Sequence, residues 1–135
     1  MRIALDTNIL VYAEGVNGED RAVRVRRYLD ERVDDEKILP VQTLAELFTV
    51  LTRKAKWPAS RASASVLAWR AACDVVDTSD AALLEAMEIA ETHRFSLWDS
   101  LLLATAAQAG CRVLVSEDMH AGFIWRGVEI RTPFD

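Results

Sequence analysis

Four acidic residues, Asp6, Glu46, Asp99 and Asp118, stand in or beside apolar runs. Asp6 ends the run Ile3-Ala4-Leu5 and is followed by Thr7 and Asn8 before apolar residues resume at Ile9. That pattern predicts a buried strand handing over to a helix, with Asp6 at the strand's carboxyl end, the edge at which open parallel sheets bind ligands. Aspartate also suits the N-cap of the helix that follows. Glu46 interrupts a helical stripe of Leu44, Leu47 and Phe48, has Gln42 and Val50 at i−4 and i+4, and meets no basic residue at helical spacing before Arg53. That makes it a telling site candidate, with an exposed helix-flank glutamate as the plainer alternative. Ser96-Leu97-Trp98-Asp99 matches a capping box, although aspartate is shorter than the glutamate or glutamine that box prefers. A carboxylate at the start of so apolar a helix is costly unless compensated. The helix N-terminus supplies up to about 2 kcal/mol of compensation, and a metal ion would supply more. Asp118 and its neighbour Glu117 follow a strand, as Asp6 does, and singly each reads as a solvated loop acid. If the chain stays extended beyond Val115, Ser116 and Asp118 face one way and Glu117 the other.

The elements that must position these acids can be read from periodicity. Helices are predicted over Ile9–Tyr12, from Asp20 to about Val33, from Pro40 to Lys54, from Pro58 or Ser60 to Ala72, from Asp80 to His93 with Ser79-Asp80 at its start, and over Leu97–Ala109, stopped by Gly110. Ala22, Val25, Leu29 and Val33 form the apolar face of the second of these, with Arg21, Arg24, Arg27 and Glu31 elsewhere on it. The last helix is apolar nearly all round and is expected to be central and buried. Strands are predicted at Ile3–Leu5, Lys37–Leu39, Asp74–Asp77 and Arg112–Val115, with a fifth at Gly127–Arg131. Strands alternating with helices predict an α/β fold, a three-layer α/β/α sandwich on a parallel sheet of four or five strands.

The 135 residues, 51% hydrophobic and 27% charged, suit one domain over residues 1–135. The start lacks a signal peptide's apolar region and no run approaches the ~18 residues of a membrane span, which predicts a cytoplasmic protein with no membrane contact. Cys73 and Cys111 lack metal-ligand spacing and read as buried reduced thiols, while His93 and His120 read as surface residues. A formal net charge of −5 argues against loose, charge-driven nucleic-acid binding over the whole surface. It leaves room for phosphodiester chemistry in which divalent cations carry the positive charge.

In this order and at this chain length, Leu5-Asp6-Thr7-Asn8-Ile9-Leu10, Thr43-Leu44-Ala45-Glu46-Leu47, Leu97-Trp98-Asp99-Ser100-Leu101-Leu102 and Leu114-Val115-Ser116-Glu117-Asp118-Met119 resemble the acidic motifs of PIN-domain nucleases, in particular VapC-type toxins of toxin–antitoxin pairs. The resemblance implies that the four carboxylates converge around one or two Mg²⁺ or Mn²⁺ ions and hydrolyse RNA. Oxygen donors without imidazole or thiolate favour such hard cations over zinc. It further implies Asp6 and Asp99 as direct ligands, Glu46 as a ligand or as the group that holds and deprotonates the attacking water, and Asp118 as the fourth acid, with Glu117 as its competitor. Thr7, Asn8 and Ser116 would orient the carboxylates. A cognate antitoxin and a homodimer are the implied partners. The homodimer is also suggested by Trp57, Trp69 and Trp125, more aromatic surface than a core of this size readily hides.

Arg53, Lys54, Lys56 and Trp57 combine charge with a stacking surface suited to single-stranded RNA, or simply complement a helix end. The rival expectation is a non-catalytic PIN-like protein that binds RNA or a partner. A phosphorylated receiver ranks lower because Ser116-Glu117 stands where a lysine would follow the late strand, and a structure-specific DNA nuclease would need further segments to grip a duplex.

Overall fold

Helix starts follow local chemistry. In a computed structural model, which describes residues 1–134, the chain runs β1 (Arg2–Leu5), α1 (Thr7–Ala13), α2 (Glu19–Asp30), β2 (Glu36–Pro40), α3 (Val41–Arg53), α4 (Ala59–Ala72), β3 (Asp74–Val76), α5 (Asp80–His93), α6 (Leu97–Gln108), β4 (Val113–Val115), β5 (Ile124–Trp125) and β6 (Val128–Arg131). Pro40 and Pro58, with φ near the value proline imposes, immediately precede α3 and α4. The Ser79 and Ser96 hydroxyls accept hydrogen bonds from the amides of Ala82 (3.0 Å) and Asp99 (3.1 Å), satisfying free donors at the starts of α5 and α6. Beyond α6, Gly110 turns the chain at φ +77, a conformation that favours glycine.

The strands form one sheet in the order β3-β2-β1-β4-β6-β5. Every pairing is parallel except β5 with β6. Side chains alternate across it with period two. Ile3, Leu5, Leu39, Val113 and Val115 pack with α1, Val25 of α2, Leu44, Leu47 and Leu51 of α3 and Ala62 of α4. Ala4, Ile38, Leu114, Val128 and Ile130 pack on the opposite face with Ala82, Ala86 and Ile89 of α5 and the apolar side of α6. Two cores separated by one sheet make the three-layer α/β/α arrangement expected from the alternation of strands and helices.

The structure amends several details. The sheet gains a two-residue strand, β5, antiparallel to β6 across the turn Arg126-Gly127, both at positive φ. A turn of that backbone suits a tight hairpin whatever residue precedes the glycine. α2 ends at Asp30, so Val33 lies beyond it, 75% exposed rather than on the apolar face. α6 is buried from Ser100 to Ala106, but its first turn projects past the sheet, leaving Trp98 63% exposed. Trp57 and Trp69 are half-buried against one core cluster and Trp125 against the other, so these three do not supply the apolar excess expected of them. Cys73 and Cys111 are free thiols; of the two expected to be buried only Cys111 is, its thiol pushed up to about 11 by burial, while Cys73 at the end of α4 is half-buried. Among the described residues no helix is long and apolar enough to cross a membrane.

Leu114, fully buried on β4, should cost about 2–5 kcal/mol on truncation to alanine. Val33→Ser should stay within about 0.5 kcal/mol of the parent. Urea unfolding monitored by tryptophan fluorescence checks both.

Candidate functional site

Asp6 follows β1 where the strand order reverses, with β2 on one side and β4 on the other. Ligand crevices of parallel sheets form at such a switch point, outside the carboxyl ends of the strands. The Asp6 amide donates to the Val115 carbonyl (2.9 Å), so the residue continues the ladder while its side chain caps α1. Its carboxylate is 8% exposed and well bonded. Oδ1 accepts from the Thr7 amide (2.7 Å); Oδ2 accepts from the Ser116 hydroxyl (2.7 Å) and, at 3.5 Å, from the Asn8 amide group. Capping and site placement are therefore one geometry.

Glu46 is held from two sides. Thr7 Oγ1 donates to Oε2 (2.8 Å) and Gln42 Nε2 to Oε1 (2.8 Å), while the same Gln42 nitrogen reaches the Trp98 carbonyl (3.2 Å) and ties α3 to the start of α6. Beneath it, Thr43 Oγ1 donates to the Leu5 carbonyl (3.1 Å), anchoring α3 on the end of β1. At Asp99 the backbone amide donates the capping bond to Ser96 Oγ (3.1 Å). Its half-buried carboxylate lines the same cleft as Asp6, Glu46 and Asp118, a space of about 380 Å³.

The two candidates for the fourth acid part company. Glu117 accepts from the Tyr12 hydroxyl and pairs with Arg21, and its amide donates to Asn8 Oδ1 (3.3 Å). The Asp118 amide donates to Ser116 Oγ (3.3 Å), and Asp118 reaches the cleft wall while Glu117 is turned toward α2. Ser116 Oγ thus donates to Asp6 and accepts from Asp118.

Electrostatics make the cleft a place of excess negative charge, four carboxylates against Lys54. Burial pushes the Asp6 carboxyl up to about 6, against the pull of the Ser116 and Thr7 hydrogen bonds and with a further push from Asp99 and Glu46. Asp99 is also raised, first by burial, then by Asp118 and Glu46, with Ser96 acting the other way. Among the described residues no three His, Cys, Asp or Glu side chains close into a ready cage for a metal ion. The oxygen-only donor set nevertheless fits Mg²⁺ or Mn²⁺, because Mg²⁺ commonly keeps several waters and takes only one or two carboxylates directly.

The expected RNA patch is mostly elsewhere. Lys54 lines the cleft; Arg53 and Lys56 are exposed beyond it, and the Trp57 ring is covered by the Arg61 guanidinium at 3.7 Å. His93 and His120 are exposed and pack beside Phe123 and Phe95. Sequence reasoning missed Tyr12 as a contact of the acidic loop and Thr43 as an anchor. Tyr12 is hidden in the first helix by its apolar neighbours; Thr43 carries no pattern that distinguishes it from other helix threonines. Gln42 was visible only as the i−4 neighbour of Glu46.

Comparison with curated proteins by sequence finds no match. Among solved structures, the chain is similar to the sarcin–ricin-loop-cleaving toxin VapC20 of Mycobacterium tuberculosis, at TM-score 0.68 and 20% identity over 83% of this chain and 86% of that one. It is also similar to a DNA-bound VapBC from Salmonella typhimurium (0.72, 20%, 98% of each chain) and to a toxin–antitoxin complex from Klebsiella pneumoniae (0.72, 17%, 98% of each). These likenesses are of fold. The family model of the PIN domain matches residues 3–121, and the chain belongs to the PIN domain family.

Proposed function

We propose that the protein is a Mg²⁺- or Mn²⁺-dependent endoribonuclease, the toxin of a toxin–antitoxin pair, cutting RNA at Asp6, Glu46, Asp99 and Asp118. The observation that carries this reading is the arrival of four carboxylates from the β1–α1 junction, α3, α6 and the β4 exit at one cleft on the switch point of the sheet. The toxin and the toxin–antitoxin complexes that share the fold support the role and an antitoxin partner. Bound in the cleft, one or two divalent ions would polarise the scissile phosphate and stabilise the leaving oxygen. Asp6 and Asp99 would hold them, with Asp118 completing the set. Glu46, fixed by Thr7 and Gln42, is oriented to take a proton from the attacking water. Water adds to phosphorus, the P–O bond to the leaving nucleotide breaks, and the departing oxygen is protonated from solvent. Thr7, Asn8 and Ser116 keep the carboxylates aimed. A homodimer belongs to the same reading, as the family resemblance implies. A non-catalytic binding protein is the alternative.

Purified protein should cut single-stranded or structured RNA with Mg²⁺ or Mn²⁺ and stop on chelation. Asp6→Asn should lose nearly all activity while staying folded, and cleavage undiminished in that variant sinks the assignment. Asp118→Asn should weaken cleavage well beyond Glu117→Gln; the opposite ranking transfers the role to Glu117.

Stability supplies an independent check. With its carboxyl raised from 3.8 to about 6, Asp6 holds its proton more tightly in the fold than in the unfolded chain. The native state therefore binds more protons between about pH 4 and 6, and stability falls as pH rises through that window. Below it the cost is absent; above it the cost is complete, of order 3 kcal/mol. In chelator above pH 7, Asp6→Asn should melt higher than the parent and lose the acid-side gain. Asp99→Asn should melt at or above the parent, since the Ser96 cap is made to its backbone amide. A divalent ion at a hundredfold excess over its Kd should add about 2.7 kcal/mol to the parent. Thermal melts across pH, with and without Mn²⁺, read all three. Light scattering at micromolar concentration should give a dimer, and a monomer alone removes that part of the proposal.

A further inference from the structure

An acidic cleft attracts cations but repels the phosphates of a long RNA strand, and the chain as a whole carries a net charge of −5. Its basic residues are unevenly spread. Four of the twelve residues of α2 are arginine, Arg21, Arg24, Arg26 and Arg27. The helix dipole accounts for a cation in the last turn but not for arginines along the whole length. Arg24, Arg27 and Arg32, together with Arg131 at the carboxyl end of β6, line a groove of about 510 Å³ between α2 and the chain's final described residues. Glu31 and Glu129 are the carboxylates on its wall, so its side chains carry two net positive charges. Glu129 pairs with Arg131 (2.8 Å), and Glu31 reaches Arg32 at 3.8 Å. Arg24 donates to the Phe134 carbonyl and stands over that ring (5.1 Å). Arg27 is exposed and has no ion-pair partner among the described residues.

This groove neighbours the acidic cleft across Tyr12 and Phe134. Tyr12 lines the cleft and meets Phe134 edge-on at 5.6 Å. Arg21 lies 5.0 Å from both rings, and Arg24 on the far side of Phe134 opens the groove. Ser116, which bonds Asp6, donates its amide to the Arg131 carbonyl (2.9 Å), so Arg131 emerges from the same sheet edge as the acids.

We infer that the Arg24, Arg27, Arg32 and Arg131 groove is a second, phosphate-binding site that carries the RNA strand away from the acidic cleft. It rests on the ribonuclease reading, and it moves the RNA surface from Arg53 and Lys56 to α2. Guanidinium groups suit this task because their planar donors match phosphate oxygens in pairs. The contacts would be to backbone and therefore indifferent to sequence.

The test measures binding without cleavage, by fluorescence anisotropy of labelled single-stranded RNA against the full chain carrying Asp6→Asn, across a salt series. One oligonucleotide is long enough to span both sites, and the other is short enough to fill the cleft alone. Arg27→Gln combined with Arg131→Gln should weaken the long RNA by about tenfold, and the slope of log affinity against log salt should fall by about 0.7 for each phosphate contact removed. The short RNA should bind as before. Arg70→Gln, an exposed arginine on α4 outside both sites, should leave the long RNA unaffected. Unchanged affinity and slope in the double variant, or an equal loss in Arg70→Gln, overturns the inference. So does a polyglutamate probe that binds the parent and loses binding in the double variant while RNA does not, which would make the groove a site for an acidic polypeptide. Circular dichroism confirms folding, and Arg27→Gln alone, at an exposed helix position, serves if the pair does not fold. Failure of the parent to cleave RNA with metal would remove the nuclease reading on its own, since the anisotropy result does not depend on cleavage.

Discussion

The burial of the Asp6 carboxylate at the carboxyl end of β1 is the constraint around which the rest is arranged. Three donors, the Thr7 amide, the Ser116 hydroxyl and the Asn8 amide group, surround it, yet its carboxyl remains raised because burial and the neighbouring acids outweigh those bonds. Hydrogen bonds aim a charge more effectively than they neutralise one. An apolar residue there would relieve the strain on the fold but would leave the Ser116 hydroxyl and the first α1 amide without their acceptors. Such a fold is held slightly out of balance at one point, and the proposed dication would relieve that imbalance.

The remaining acids depend on polar ties that cross between layers. Thr43 fastens α3 to the Leu5 carbonyl, which puts Glu46 beside Asp6; Gln42 links Glu46 to the first turn of α6, which carries Asp99. Ser116 joins Asp6 to the amide of Asp118. Each tie uses a side-chain hydroxyl or amide. The apolar cores on the two faces set where the helices lie; these few bonds set where the carboxylates point. Glu117 is held toward α2 in the same manner, through Tyr12 and Arg21.

Much of this was legible because period and punctuation agreed. The apolar runs at β1 and β4, Pro40 and Pro58 before α3 and α4, and the serines that cap α5 and α6 each point to the element observed. Glu117 and Asp118 turn apart as the sequence suggests, but through a bend after Ser116, onto which the Asp118 amide folds back, rather than through the alternation of an extended chain. What escaped was decided by tertiary context. The β5–β6 hairpin turns on Arg126-Gly127, which lacks the asparagine or aspartate that advertises such turns, and its strand is only two residues long. Val33 continues a helical stripe in sequence after the helix itself has ended. Trp57 looked like a free stacking platform until Arg61, four residues along and on the next helix, covered it. The charge along α2 was visible as a list of arginines, but nothing local places Arg131 and Phe134, more than a hundred positions later, against them.

The sheet ends in very short strands, β3 with three residues on one side and β5 with two on the other. Exposed edge strands are the templates on which another chain can add a strand of its own, and short ones offer too few free amides and carbonyls for that. A binding partner therefore has little to gain from extending the sheet. Recognition falls instead to the helical surfaces, where affinity comes from side-chain fit, and a partner can be exchanged or evolved without opening the fold to fibre-like self-assembly.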